Sequence, residues 1–282
     1  MRVAVITTVR GRAAHLRNQR AGLTTGNRAI DRHIVVAMGD PEVDAGLAGH
    51  HLPTTVLPCA ARGAGLPLAH ARNLGAEQAI GDGAELLIFL DVDCIPGPAL
   101  VERYVQAAGT PEHALALLCG PVTYLPPPGP DGYPMGRLHE LAGPHPARPA
   151  PTGHQIVVGT DYRLFWSLSF AVTAPVWRRI GGFCEDYRGY GAEDTDFAQS
   201  AAGQGVSLRW VGGADAFHQY HPVSDPPVEH LDDILRNAVV FHRRWGWWPM
   251  EGWLQAFAAR GLIGRGAAGK PFRLPESVVR TG

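Results

Sequence analysis

Lysine is almost missing from these 282 residues: Lys270 is the single one, and it sits in a Gly-rich tail. Cysteine is scarce too. Cys59, Cys94, Cys119 and Cys184 are widely spaced with no Cys-x-x-Cys pair, which excludes a zinc ribbon and a disulfide framework and suits a reducing cytoplasm. Excess charge of either sign is lacking. A net charge of -1 removes the electrostatic case for a nucleic-acid partner. No apolar run approaches the length that spans a membrane, and the short one at the amino terminus is too quickly followed by Arg10, Gly11 and Arg12 to be a signal peptide. No internal repeat is apparent. What is present, 45% hydrophobic residues with 18% charged, is the composition of a soluble globular protein, with enough chain for one sizeable core or one domain and an appendage.

Short apolar runs alternate with helical stretches through the first half. Strands are expected at Val3 to Val9, Ile34 to Ala37 and Thr54 to Leu57, and helices at Ala13 to Ala21 and Leu68 to Ile80. Leu86-Leu87-Ile88-Phe89-Leu90 is continuously apolar, the pattern of a strand covered on both faces. A helix from Gly97-Pro98 to about Ala108 and a strand at Ala114 to Leu118 follow. Such alternation predicts a mostly parallel α/β sheet. Between Tyr124 and Gly159 prolines accumulate, the composition of a functional or unstructured loop.

Two acidic clusters carry the chemistry. Asp91-Val92-Asp93 ends the buried strand, where two carboxylates one residue apart can reach a hard divalent cation that also binds a substrate phosphate. The second, Glu193-Asp194-Thr195-Asp196, opens a predicted helix ending near Gly203, and is preceded by Gly189-Tyr190-Gly191. Acids in a first helical turn are stabilised by unpaired amides, so charge at a helix start is the plain reading. Two glycines and an aromatic before them exceed what capping requires.

Taken in order, several segments resemble the inverting nucleotide-sugar glycosyltransferases of the GT-A fold, family-two-like with a galactosyltransferase-type carboxyl-terminal segment. They are Val3 to Arg10, Ala71-Arg72-Asn73-Leu74-Gly75-Ala76, Leu90-Asp91-Val92-Asp93, Ile180-Gly181-Gly182-Phe183-Cys184-Glu185, and Gly189 through Phe197. Cys184 stands where Asp is common in that family, and Tyr190 where Trp is frequent. The resemblance covers roughly residues 1 to 225 and implies a Rossmann-like, mostly parallel sheet flanked by helices. Residues 1–120 would form the nucleotide-binding half and 121–225 the acceptor and catalytic half, with the Pro-rich loop at 124–159 ordering over the donor. Residues 226–282 would add a helical extension.

The resemblance also implies roles. Asp194 is the base that takes the acceptor's proton, and Glu193 holds acceptor hydroxyls. Asp93 is the direct metal ligand, and Asp91 shares the metal or contacts ribose. In Phe217-His218-Gln219-Tyr220-His221-Pro222, His218 completes the metal site with His221 as competitor, and the ion is Mn2+ or Mg2+. Thr8, Arg10 and Asp40 surround the nucleotide, and Arg72 reaches the diphosphate. Expected partners are a nucleotide-sugar donor, with UDP the first choice of nucleotide, and a glycan, lipid-linked or small-molecule acceptor. The expected location is cytoplasmic.

The extension crowds Trp245, Trp247, Trp248 and Trp253 into nine residues and carries more basic than acidic side chains. It could lie peripherally on the inner membrane surface; packing on the catalytic domain or a dimer contact is the plainer alternative. Two further readings compete for the whole. Leu87 to Asp93 is also similar to the first motif of haloacid-dehalogenase-type phosphatases, but Lys270 is the only lysine available to such a site, and Cys94-Ile95 does not continue that motif. A GT-A module that binds nucleotide sugar or glycan without turnover has no need of both acidic clusters.

Overall fold

The computed structural model describes residues 1–61 and 65–274. In chain order the first stretch gives β1 (Val3–Val9), α1 (Ala13–Thr24), β2 (Arg32–Met38), α2 (Val43–Leu47), β3 (Thr54–Cys59), α3 (Leu68–Gly81) and β4 (Leu86–Leu90). Next come β5 (Cys94–Pro96), α4 (Leu100–Gly109), β6 (Ala116–Cys119), β7 (Val122–Tyr124), β8 (Ile156–Gly159), β9 (Ser169–Thr173), α5 (Ala174–Ile180) and α6 (Glu193–Gly203). The chain then forms β10 (Ser207–Val211), β11 (Ala216–His218), α7 (Leu231–Trp245), α8 (Glu251–Ala259) and the hairpin β12 (Ile263–Arg265) to β13 (Pro271–Arg273).

Eight strands pair in the order β3-β2-β1-β4-β9-β6-β10-β8. β3, β2, β1 and β4 run parallel, β9 is antiparallel to both β4 and β6, and β10 rejoins the parallel direction beside β6. The continuous apolar runs have the reason anticipated for them. In β4, Leu87 and Phe89 enter one core with α3, α5 and α6, while Leu86, Ile88 and Leu90 enter the core on the opposite face, with α4. β1 divides likewise, Ala4 and Ile6 against Val3 and Val5. Alternation sends neighbours to opposite faces, so a strand apolar at every position needs cover on both.

β9 escaped the sequence pattern. It is short, opens with Ser169, and runs antiparallel at the centre of the sheet, where alternation of strand and helix predicts nothing. It also ties the two expected halves together, because a strand from beyond residue 121 lies between β4 and β6. Proline did not leave residues 124–159 loose. Leu125 and Leu138 pack on Ile95 and Phe217, and β8 joins the sheet as its antiparallel edge.

A second sheet of three strands, β5-β11-β7, matters more for function. Its antiparallel register sets His218 opposite Cys94, and the Gln219 N–H donates to the Asp93 carbonyl at 2.7 Å. The strand after the first acidic cluster thereby recruits the histidines some 125 residues later.

Candidate active site

Around Asp93 the molecule assembles cations and imidazoles. His218 Nε2 lies 3.5 Å from Oδ1, His221 Nε2 3.5 Å from Oδ2, and Arg12 Nη1 3.4 Å from Oδ2. Burial works to raise the Asp93 pKa, but the hydrogen bond from His221 and the charges of His218 and Arg12 outweigh it and bring it to about 2. His218 moves down, chiefly because burial disfavours its charged form. Among the described residues Asp93, His218 and His221 form a group able to hold a metal, their ligating atoms all within 4.8 Å of one another. His221, the competitor, joins His218 here.

The loop carrying Asp91 and Asp93 is held by a buried chain of hydrogen bonds. Arginine only donates, so Arg20 Nη1 gives a proton to His33 Nδ1 at 3.1 Å. His33 must then carry its own proton on Nε2, directed to Thr7 Oγ1 at 3.2 Å, and Thr7 donates to Gln19 Oε1 at 2.9 Å. Gln19 Nε2 donates in turn to the carbonyls of Asp91 (2.7 Å) and Cys94 (3.2 Å). Complete burial pushes His33 down to about 3, which keeps the ring neutral and this order intact. Thr8, next in β1, is buried.

The two acidic clusters meet at Arg72. Projecting from α3 and only 4% exposed, its guanidinium donates from Nη2 to Asp91 Oδ1 and from Nη1 to Glu193 Oε1, each at 3.2 Å. Phe183 lies against it, the guanidinium carbon 5.2 Å from the ring centre. Burial pulls the pKa of this group down, but the charges of Asp91 and Glu193 outweigh it and hold the guanidinium above its ordinary value. Arg72 was expected at a diphosphate, and in this structure both of its arms are occupied by the protein's own acids. Arg10 is exposed, and Asp40 turns its carboxylate to the Gly11 and Glu42 amides, at 2.9 and 3.0 Å.

The aromatic residues of three motifs lock the clusters in place. Phe183 of Gly-Gly-Phe stacks on Phe197 of α6 with centroids 4.3 Å apart, and also contacts Phe89 of β4, at 6.3 Å. Asn73 fixes the turn by donating to the Phe183 carbonyl and accepting from its N–H, at 2.9 and 2.8 Å.

Asp194 and Glu193 begin α6. Burial first, then the Glu193 charge, raises Asp194 to about 7. Glu193 Oε2 is buried and has no hydrogen-bond partner among the described residues. Asp196 serves structure: it is 1% exposed and accepts from Tyr187 Oη (3.1 Å), Arg244 Nε (2.6 Å) and Trp245 Nε1 (2.7 Å). The turn before α6 is constrained by what surrounds it. A Cβ on Gly189 would collide with the Asp233 carboxylate, and Ala192 adopts φ 72°, rare for a residue with a side chain.

Comparison with known proteins bears on what this arrangement is. A model of the N-terminal domain of galactosyltransferase matches residues 155–222, a span holding α6 and both histidines. Validoxylamine A glucosyltransferases of Streptomyces hygroscopicus, subsp. jinggangensis (strain 5008) and subsp. limoneus, are each 29% identical over 55% of this chain. The chain spans 40% and 38% of their lengths. GalNAc-T7, solved with UDP, GalNAc and Mn2+, superposes with TM-score 0.56 at 13% identity, over 78% of this chain and 44% of its own. S. aureus TarS 1–349 gives 0.58 at 13% identity, over 85% and 65%. This is a GT-A glycosyltransferase fold.

Within the GT-A frame the C-terminal tryptophans face protein. Trp245 bonds to Asp196, Trp247 packs edge-on against Phe241 at 4.6 Å, Trp248 stacks on His242 at 4.0 Å, and Trp253 lies on Tyr190. That is the plainer alternative to a membrane contact; among the described residues no helix is long and apolar enough to cross a membrane. Residues 275–282 of the expected extension lie outside the described residues. Lys270 sits between β12 and β13, and Asp91 has an arginine, not a lysine, as its cationic partner. Arg12 beside Asp93 and Gln19 under the Asp91 carbonyl were missed, and neither carried a signal in the sequence.

Proposed function

We propose that the chain is a metal-dependent inverting glycosyltransferase, moving a sugar from a nucleotide diphosphate donor, a UDP-sugar first among them, to an acceptor hydroxyl. The observation that carries this reading is the Arg72 bridge. One buried side chain spans Asp91 of the first acidic cluster and Glu193 of the second, so groups suited to a leaving diphosphate and to an attacking alcohol lie one guanidinium apart. In this reading residues 1–225 hold both substrates and residues 226–282 form an extension fastened to them.

One carboxylate and two imidazoles are a donor set that suits Mn2+ better than Mg2+. Asp93, His218 and His221 would hold the ion, which when bound neutralises charge developing on the diphosphate. Arg12, beside Asp93, faces the same charge. Asp194 accepts the acceptor's hydroxyl proton as the oxygen bonds to the anomeric carbon. The bond from that carbon to the phosphate oxygen breaks, and its electron pair leaves with the nucleotide diphosphate. A single displacement inverts the anomer. Glu193, with one oxygen on Arg72 and the other unpartnered among the described residues, is suited to orienting the acceptor. The relatives named for glucosyl transfer to validoxylamine A, and a neighbour solved with UDP and Mn2+, make UDP-glucose with manganese and a small polyhydroxylated acceptor the first combination to assay.

The test is a thermal-shift titration with UDP-glucose and MnCl2, followed by turnover. Asp93→Ala should abolish the manganese-dependent rise in Tm. Asp194→Asn should keep that rise and lose transfer by at least a hundredfold. Equal UDP-glucose stabilisation with and without manganese in the unaltered chain refutes the metal site, and most activity surviving in Asp194→Asn removes the base.

A further inference from the structure

The three-stranded sheet does more than bring His218 to Asp93; it also gives the imidazole a wall. β11 is the middle strand, antiparallel to β5 and parallel to β7, and His218 is registered against Cys94 in the first and Tyr124 in the second. Residues paired across strands project to the same face. The Tyr124 ring accordingly lies on that of His218, centroids 4.5 Å apart and planes 27° from parallel, while the His221 ring approaches His218 at 5.2 Å and 49°. Asp93 alone does not fix the imidazole, because His218 Nε2 is 3.5 Å from Oδ1, longer than an ordinary hydrogen bond. Contact with the flat face of Tyr124 is what restrains its rotation.

From Tyr124 a row of rings continues into the proline-rich segment. His145 meets Tyr124 at 5.4 Å and 62°, and Trp166 meets His145 at 5.0 Å and 76°. The Arg148 guanidinium carbon then lies 5.2 Å from the Trp166 ring centre and 4.9 Å from that of Trp210. Arg148 is 5% exposed and ends the row in the core. Backbone bonds hold the turn that carries these groups: the Arg148 N–H donates to the His145 carbonyl at 3.2 Å, and the His145 N–H to the Val122 carbonyl of β7 at 2.9 Å. Tyr124 itself is 42% exposed, so it adds less to the core than a buried ring would. Its stack acts on the direction of a neighbouring imidazole.

We infer that Tyr124 is a positioning residue for the cation, holding His218 Nε2 toward Asp93 and His221 before the ion arrives, with His145 and Arg148 as its brace. This rests on the reading of Asp93, His218 and His221 as the groups that hold Mn2+. An imidazole free to turn about its side-chain bonds loses that freedom when it binds, and the loss weakens affinity; a ring held in place by folding has already lost it. Groups that orient a ligand without touching the ion change metal affinity by about 10–100-fold.

The experiment is an electron paramagnetic resonance titration of the full chain with MnCl2 alone, in which the signal of the free aqueous ion gives the Kd. Tyr124→Ala and Tyr124→Leu should each raise Kd about tenfold, and Tyr124→Phe, which keeps the flat face, should stay within about twofold of the unaltered chain. Leucine keeps bulk without a flat face, so Tyr124→Leu decides the matter if Tyr124→Ala folds poorly. Without metal, Tyr124→Leu and Tyr124→Phe should melt together, which separates a loss of positioning from a loss of fold. His218→Ala should lose at least as much affinity as Tyr124→Ala. Arg273→Ala, which removes only an exposed ion pair to Asp232, should lose none. An unchanged Kd in Tyr124→Leu, or failure of Tyr124→Phe to keep the affinity, overturns the positioning role and leaves the metal site standing. An unaltered chain that binds no Mn2+, or a His218→Ala chain that binds it as tightly as the unaltered one, refutes the metal site itself, and the role of Tyr124 falls with it.

Discussion

In the proposed mechanism Asp194 takes the acceptor's proton, and its raised pKa suits that task. With its pKa raised to about 7, the carboxylate is mostly protonated below that pH, so kcat should fall on an acidic limb with a midpoint near 7. The sign for stability is opposite. The folded protein holds this proton where the unfolded chain has released it, so stability contributed by the group is lost as pH rises from about 4 through 7. Asp194→Asn, inactive, should therefore match or exceed the unaltered chain in Tm at pH 8. A rate profile flat from pH 5 to 8 would show that another group takes the proton. Arg72 makes a second case. Removing it leaves Glu193 buried and Asp91 partly buried without their cation, and loss of one partner from a buried pair costs about 3–5 kcal/mol. Urea unfolding of Arg72→Ala should show a loss of about that size, and a change under 1 kcal/mol would mean water already reaches the pair. At this scale the sequence made acids easy to see and their partners hard. Asp91, Asp93, Glu193 and Asp194 stand out because charge at a strand exit or helix start is conspicuous. Arg12 and Gln19 look like ordinary helix residues, and their roles depend on contacts more than seventy residues away.

Among the elements, α7 deserves the same scrutiny as α6. Arg244 and Trp245 at its end satisfy Asp196, and Asn237 at its middle donates to carbonyls of the turn before α6, so α6 is positioned by a helix that follows it by nearly thirty residues. Arg244 is 40% exposed, which lets solvent screen part of its charge, so Arg244→Ala should cost about 2 kcal/mol rather than the full penalty of a buried pair. Combining it with Asp196→Asn should recover part of that loss in the same urea experiment; strict additivity of the two substitutions would show no coupling between them. The helical spacing of Leu231, Ile234, Leu235 and Ala238 made α7 legible. What its polar face does was not, because Asn237 in a sequence is one more amide. β9 was lost for another reason: periodicity reports how a strand is covered, not which neighbours it pairs with.

For the whole molecule, the fold class was readable because several runs apolar at every position leave few alternatives to a sheet covered on both faces. The internal division was less so. One core joins Ile6, Ile34 and Phe89 from before residue 120 to Phe170, Trp177, Phe197 and Trp210 from after it. Calorimetry should therefore give a single cooperative transition for residues 1–225, with calorimetric and van't Hoff enthalpies in agreement. Two resolved transitions would restore separate halves.

The Arg72 bridge sets a length as well as a charge. In the proposed reaction the reactants meet across a gap already gauged by one guanidinium, so distance is not something binding must create. A lysine there would keep the positive sign but present a single nitrogen where two now reach apart. In the proposed transferase such a site would be a poorly spaced jaw, expected to grip each substrate alone while failing to bring them to reacting range.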